Sequence, residues 1–139
     1  MGRILAIDYG MKRTGLAVTD PLQIIATGLE TVETQSLTNF LKSYFQKETV
    51  DEVVIGMPKK LNNEDSDTAA AVRKFIDLFK KNFPAMKITE ADERFTSSMA
   101  QQVMISGGMK KKDRQVKGNV DRISATIILQ SFMQTKSLR

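Results

Sequence analysis

The chain contains no histidine and no cysteine in 139 residues. Without either, it has no Ser-His-Asp or Cys-His nucleophile, no disulfide, no thiolate chemistry and none of the usual zinc ligand sets. Any catalysis must therefore use oxygen or amine groups. A participating metal should be a hard cation held by carboxylates and water, Mg²⁺ or Mn²⁺ rather than Zn²⁺ or Cu²⁺. Tryptophan is also absent, and the eight methionines and seven phenylalanines form no pattern for reading bases. They are expected to fill the core. No apolar run approaches the roughly 20 residues that span a bilayer, and Met1 to Asp8 lead into a strand pattern without a signal-peptide layout. The expected compartment is the cytoplasm, with no membrane partner.

The composition suits one folded unit. Hydrophobic residues make up 41% and charged residues 27%, near the average for soluble globular chains, and the length fits a single domain over 1–139. Lysine and arginine number 21 against 16 acidic residues, for a net charge of +5. The pI near 9.5 exceeds the rough value of 9 that marks a nucleic-acid footprint. Distribution says more than balance. Between Met109 and Arg122 stand Lys110, Lys111, Lys112, Arg114, Lys117 and Arg122 against only Asp113 and Asp121.

The patterning predicts three leading antiparallel strands, over Arg3 to Asp8, Thr14 to Thr19 and Ile24 to Val32, with Gly28 as a bulge or close approach. A helix from Ser36 to about Glu48 follows, on a stripe of Leu37, Phe40, Leu41, Tyr44 and Phe45. Val53-Val54-Ile55 marks a strand buried on both faces, ended by Pro58. A second helix runs from about Ser66 on Ala69, Val72, Phe75, Ile76 and Phe79, and a fifth strand covers Met86 to Ala91. A helix from Thr96 or Ser97 to Gly107-Gly108, a basic loop over 109–118 and a final helix from about Asn119 to Thr135 complete the order β-β-β-α-β-α-β-α-α. This is an α/β chain with a five-stranded mixed sheet and helices on both faces, an order found in the ribonuclease H-like fold.

Three acids stand at element ends. Asp8 closes a strand expected in mid-sheet, where a carboxylate is costly unless paired, solvated or metal-bound; a turn Asp bonding the backbone around Gly10 is the plainer alternative. Asp121 heads the stripe Ala125, Ile128, Leu129 and Phe132 of the last helix, although an Asp in a first turn also suits the helix dipole. Glu93 closes the fifth strand in Glu90-Ala91-Asp92-Glu93-Arg94, where alternation sends Asp92 and Glu93 to opposite faces; the plainer alternative is that Asp92 or Glu93 pairs with Arg94. Brought to one sheet edge, Asp8, Glu93 and Asp121 would hold two Mg²⁺ or Mn²⁺ ions for phosphodiester hydrolysis. Lys110, Lys111, Lys112, Arg114 and Lys117 would deliver the phosphate backbone beside them. Lys59, Lys60, Lys12 and Arg13 would extend that surface. Asp20 reads as an Asp-Pro turn.

These residues resemble the YqgF/RuvX family, Holliday-junction-resolvase-like proteins also described as pre-16S rRNA nucleases. The resemblance rests on Leu5-Ala6-Ile7-Asp8-Tyr9-Gly10 with Arg13-Thr14-Gly15-Leu16-Ala17-Val18-Thr19-Asp20, then Val54-Ile55-Gly56-Met57-Pro58, Asp92-Glu93-Arg94-Phe95-Thr96-Ser97, and Lys117-Gly118-Asn119-Val120-Asp121 with Ile128-Leu129-Gln130. It implies Asp8, Glu93 and Asp121 as metal-binding catalytic residues. It also implies a bacterial cytoplasmic nuclease that matures the 5′ end of 16S rRNA on ribosomal precursor particles, with branched-DNA resolution as the alternative. Related resolvases carry an acid at the end of the fourth strand; this chain has Gly56-Met57-Pro58 there, so Glu93 substitutes from the next strand. A non-catalytic RNA-binding assembly factor and a sugar-kinase-like phosphotransferase are the competing readings. The latter normally needs two lobes, more chain than this. The protein is expected as a monomer or homodimer.

Overall fold

β1 (Arg3–Asp8) forms because Ile4, Leu5, Ala6 and Ile7 are all apolar and all buried, the mark of a strand covered on both faces. The computed structural model describes residues 2–57, 68–92 and 117–137. Within them β1 is the middle of a five-stranded sheet of order β3-β2-β1-β4-β5. β2 (Arg13–Thr19) and β3 (Ala26–Glu33) continue it antiparallel on one side, and β4 (Val50–Met57) and β5 (Lys87–Asp92) run parallel on the other.

Alternation assigns the faces. Leu5, Ile7, Leu16, Val18, Val53 and Ile55 point to one side, where α1 (Leu37–Lys47) buries Leu37 and Leu41 and α2 (Ala69–Asn82) buries Val72, Phe75, Ile76 and Phe79. Aromatic contacts thicken this layer: Phe45 meets Phe79 and Phe83 edge-on at 6.4 and 5.0 Å. Among the described residues Phe79 is the largest fully buried side chain, and truncating it to alanine should cost about 3–5 kcal/mol. The opposite face mixes alanines with branched aliphatic residues. Ile4, Ala6, Ala17 and Val54 meet Ala125, Ile128 and Leu129 of α3 (Lys117–Ser137), and α3 crosses β1, β2 and β3. Among the described residues no helix is long and apolar enough to cross a membrane.

The structure revises several boundaries. β3 begins at Ala26 rather than Ile24, because the Asp20 carboxylate accepts the backbone N–H groups of Ile24 (2.7 Å) and Ile25 (2.8 Å) and holds both in a turn. That turn places Gln23 at φ 59. The predicted bulge is present: Leu16 pairs with Glu30 and Ala17 with Gly28, so Leu29 is the extra residue. β4 begins at Val50, where it pairs with Arg3. A 3-10 turn over Thr34–Ser36 precedes α1. α2 begins at Ala69, and α3 begins at Lys117, two residues before the predicted start, which takes Lys117 out of the loop and into the helix. The predicted loop over 59–65 and helix over 96–108 lie outside the described residues.

Candidate active site

Asp8 is the last residue of β1, and its neighbours settle which way it faces. Tyr9 packs into the α1–α2 layer, its ring 5.2 Å from Phe75. Ile4 and Ala6 lie in the α3 layer, so the period-2 alternation of a strand puts Asp8 on the α3 face. Its Cα partner on β2 is Gly15, and the next step of the β1–β4 register, after Ile7 with Ile55, sets it beside Gly56. Gly56 in turn pairs with Ala91. Neither strand next to Asp8 thus supplies a side chain that walls the half-buried carboxylate off along the sheet. Sequence reasoning gives Gly15 no part here; only the register does.

The turn after Asp8 is firmly fixed. Gly10 O accepts the Thr34 hydroxyl at 2.6 Å, Thr34 N–H donates to Lys12 O at 2.9 Å, and the Thr14 and Thr34 hydroxyls bond at 2.9 Å. A Cβ at Gly10 would collide with the Arg13 carbonyl, so only glycine fits. The carboxylate is therefore held from both sides in sequence, by the sheet before it and a pinned turn after it.

α3 brings its start to the same end of the sheet. Arg122 and Thr126 lie over Gly28, while Gln130, Met133 and Gln134 lie near Ala26. Gly28 pairs with Ala17 and Ala26 with Thr19, so moving from Thr19 toward Gly15 runs back toward the start of the helix. Asp121 precedes Ala125 by one turn, about 5.4 Å, and Ala125 packs with Ala6 and Ala17. Asp8 lies two strand residues beyond Ala6, roughly 7 Å. The backbone of Asp121 thus stands at the Asp8 end. Glu93 follows β5 directly and lies outside the described residues, but Ala91, two positions earlier, packs in the α3 layer. Among the described residues no three acidic side chains gather.

Of the predicted basic residues, Lys12 and Arg13 are exposed beside this end. With Met11, Glu33 and Gln35 they line a recess of about 450 Å³. Lys117 opens α3. Lys59, Lys60, Lys110, Lys111, Lys112 and Arg114 lie outside the described residues. Met11, expected as core filling, is instead 68% exposed, because the turn that fixes Gly10 and Lys12 turns it outward.

The acids at the other end of the sheet have structural partners. Asp20 has its carboxyl held below the ordinary carboxylate range, chiefly by the Ile25 N–H, with desolvation opposing and the Ile24 N–H adding to the lowering. Asp51 accepts from Gly2 N–H at 3.0 Å and from Gln23. Glu52, 4% exposed, accepts the Thr89 hydroxyl at 3.0 Å and lies 3.5 Å from Lys87 Nζ. Its burial was not legible in the sequence, where it reads as the polar start of a strand.

A mixed sheet of this order, covered by α1 and α2 on one face and α3 on the other, with an acid at the end of its central strand, defines a ribonuclease H-like fold. Solved structures share the fold. The fowlpox virus resolvase bound to Holliday junction DNA superposes with a TM-score of 0.59 at 13% identity, covering 96% of this chain and 98% of that one. RuvC of T. thermophilus bound to a Holliday junction superposes with 0.59 at 15%, covering 99% and 96%. The model of the RuvX family, described as Holliday junction resolvase, matches residues 2–135, and the chain belongs to that family. Relatives named "Putative pre-16S rRNA nuclease" match over nearly their full length. The protein of Flavobacterium johnsoniae is 54% identical over 98% of this chain and 99% of its own, and that of Bacteroides fragilis 52% over 99% and 100%.

Proposed function

We propose that residues 1–139 act as one divalent-metal-dependent nuclease domain in the cytoplasm, hydrolysing phosphodiester bonds at a centre formed by Asp8, Glu93 and Asp121. The observation that carries this reading is the placement of Asp8: a half-buried carboxylate at the α3-facing end of the central strand, between Gly15 and Gly56, in a chain of the RuvX family. The donor chemistry fits a hard cation, since without histidine or cysteine the chain offers metal only oxygen ligands and amines. Asp8, Glu93 and Asp121 would hold Mg²⁺ or Mn²⁺, two ions in the two-metal reading. When bound, the metal supplies acidification of water and neutralisation of phosphate charge.

The chain's own residues do the rest. The sheet and the pinned Gly10 turn orient Asp8 without cost at the moment of reaction. Lys12 and Arg13 hold phosphates next to it, and Lys117 with Lys59, Lys60, Lys110, Lys111, Lys112 and Arg114 extends the grip along the strand. Overall, one water is added across a P–O bond, leaving one phosphate-ended and one hydroxyl-ended strand. The substrate supported best is the 5′ region of pre-16S rRNA on ribosomal precursor particles, after the names of relatives above 50% identity. Branched DNA is the second reading, favoured by the family's description.

Purified protein with Mg²⁺ or Mn²⁺ should cleave a 16S precursor carrying its 5′ extension, and neither chelated protein nor Asp8→Asn should do so. Cleavage of a four-way DNA junction alone would move the assignment to the second reading. Cleavage that persists in Asp8→Asn and in chelator would sink the metal centre, and salt-sensitive binding without any cleavage would leave a non-catalytic RNA-binding factor.

A further inference from the structure

Met11 is the exposed apolar residue nearest Asp8 in sequence. Tyr9, two residues earlier, is anchored in the α1–α2 layer, and Gly10 and Lys12 are tied by Thr34. With its neighbours fixed, Met11 stays 68% exposed. The fold gains nothing from an apolar side chain held there. Of the residues lining its recess, Arg13 and Glu33 stand on the α3 face of the sheet, the face of Asp8. Arg13 precedes Gly15 by two strand positions and pairs with Glu33, while Gly15 pairs with Asp8. The recess therefore starts about two strand residues, roughly 7 Å, beyond the Asp8 row, close to the rise of two stacked base steps. Glu33, whose carboxylate accepts the Gln35 amide at 3.0 Å, also lines the recess, so beside the two cations there is room for an uncharged group next to Met11.

Resting on the nuclease reading of the Asp8 end, we propose that Met11 packs against the face of an unstacked nucleobase beside the phosphate held at Asp8. This makes Met11 a specificity residue for strands with an unpaired or splayed base near the cut. Methionine suits the role because it is long, unbranched and polarizable, and its sulfur packs well on aromatic rings. It is also among the apolar side chains that wedge between base steps. Lys12 and Arg13, next in the chain, bind the flanking phosphates without regard to sequence.

The test is a binding titration with Ca²⁺, another hard cation for oxygen ligands, in place of Mg²⁺ or Mn²⁺, the strands being checked on a gel so that binding is read without cleavage. It uses labelled single-stranded RNA, the same strand in a duplex, and the same strand with abasic sites. The wild-type protein should bind the single strand, and Met11→Ala should weaken that binding about tenfold, the scale of one lost base contact. Met11→Leu should restore most of it. Duplex and abasic strands should bind Met11→Ala as well as they bind wild type. Equal loss on all three ligands, or no loss on any, overturns the base contact while leaving the nuclease reading intact. A wild-type protein that binds none of the three overturns both.

Discussion

The two ends of the central sheet set their acidic residues in different surroundings. At the end where β1 begins, the acids are bonded to their surroundings: Asp20 to two backbone amides, Asp51 to Gly2 and Gln23, Glu52 to Thr89 and Lys87, and Glu48 to Arg3 at 3.2 Å. At the end where β1 stops, Asp8 stands between two glycines, with the start of α3 and two exposed cations nearby. The residue type is the same, and what separates structural acid from candidate metal ligand is the company each keeps. Acids of the first kind should cost stability when lost, and Asp8 should cost activity.

The largest expected effect is at Asp8. Asp8→Asn should lower cleavage by at least about 10²–10³-fold, the scale of losing one preorganised electrostatic group, with Tm within a few degrees of wild type. A collapse of Tm would place Asp8 among the structural acids and erase the contrast. Glu52→Ala should do the reverse. It leaves the half-buried Thr89 hydroxyl without this acceptor and should lower stability by about 1 kcal/mol in urea unfolding, while cleavage per folded molecule stays unchanged.

A smaller effect is expected at Lys12. Lys12→Ala should weaken RNA binding modestly and reduce the slope of log affinity against log salt by about 1, as for one phosphate contact. An unchanged slope would remove Lys12 from the nucleic-acid surface.

The smallest effect concerns Asp20. Its carboxyl is held below the ordinary range in the folded protein, so its contribution is fully present above the unfolded carboxylate pKa and fades as pH falls through the lower folded value. Asp20→Asn should therefore unfold with a shallower loss of stability below about pH 4. A steeper acid transition would contradict the turn's role.

Much of this layout was legible in the sequence because burial writes itself into apolar runs and periodicity. Ile4 to Ile7 and Val53 to Ile55 announce strands covered on both faces, and Ala125, Ile128 and Leu129 announce the buried stripe of α3. Asp20-Pro21 was legible as a turn, but not that its carboxylate would take Ile24 and Ile25 out of β3. Glu52 was illegible because its burial depends on Thr89 and Lys87 from a strand 35 or more residues away. For the candidate site, the position of Asp8 was readable and its setting was not, since Gly15 and Gly56 become its neighbours only through strand register. The outward Met11 was missed because composition treats methionine as core. Glu93 and the lysines of 110–112 rest on motif and charge pattern.

Metal binding at the Asp8 end of the sheet, and not among the acids of the opposite end, can be followed by titrating Mn²⁺ into isotope-labelled protein and recording paramagnetic broadening of assigned backbone amides. Gly15 and Gly56 should broaden first and Ile24 and Ile25 last, and Asp8→Asn should abolish the early loss. Broadening centred on Ile24 and Ile25, or loss at Gly15 that survives Asp8→Asn, would contradict it.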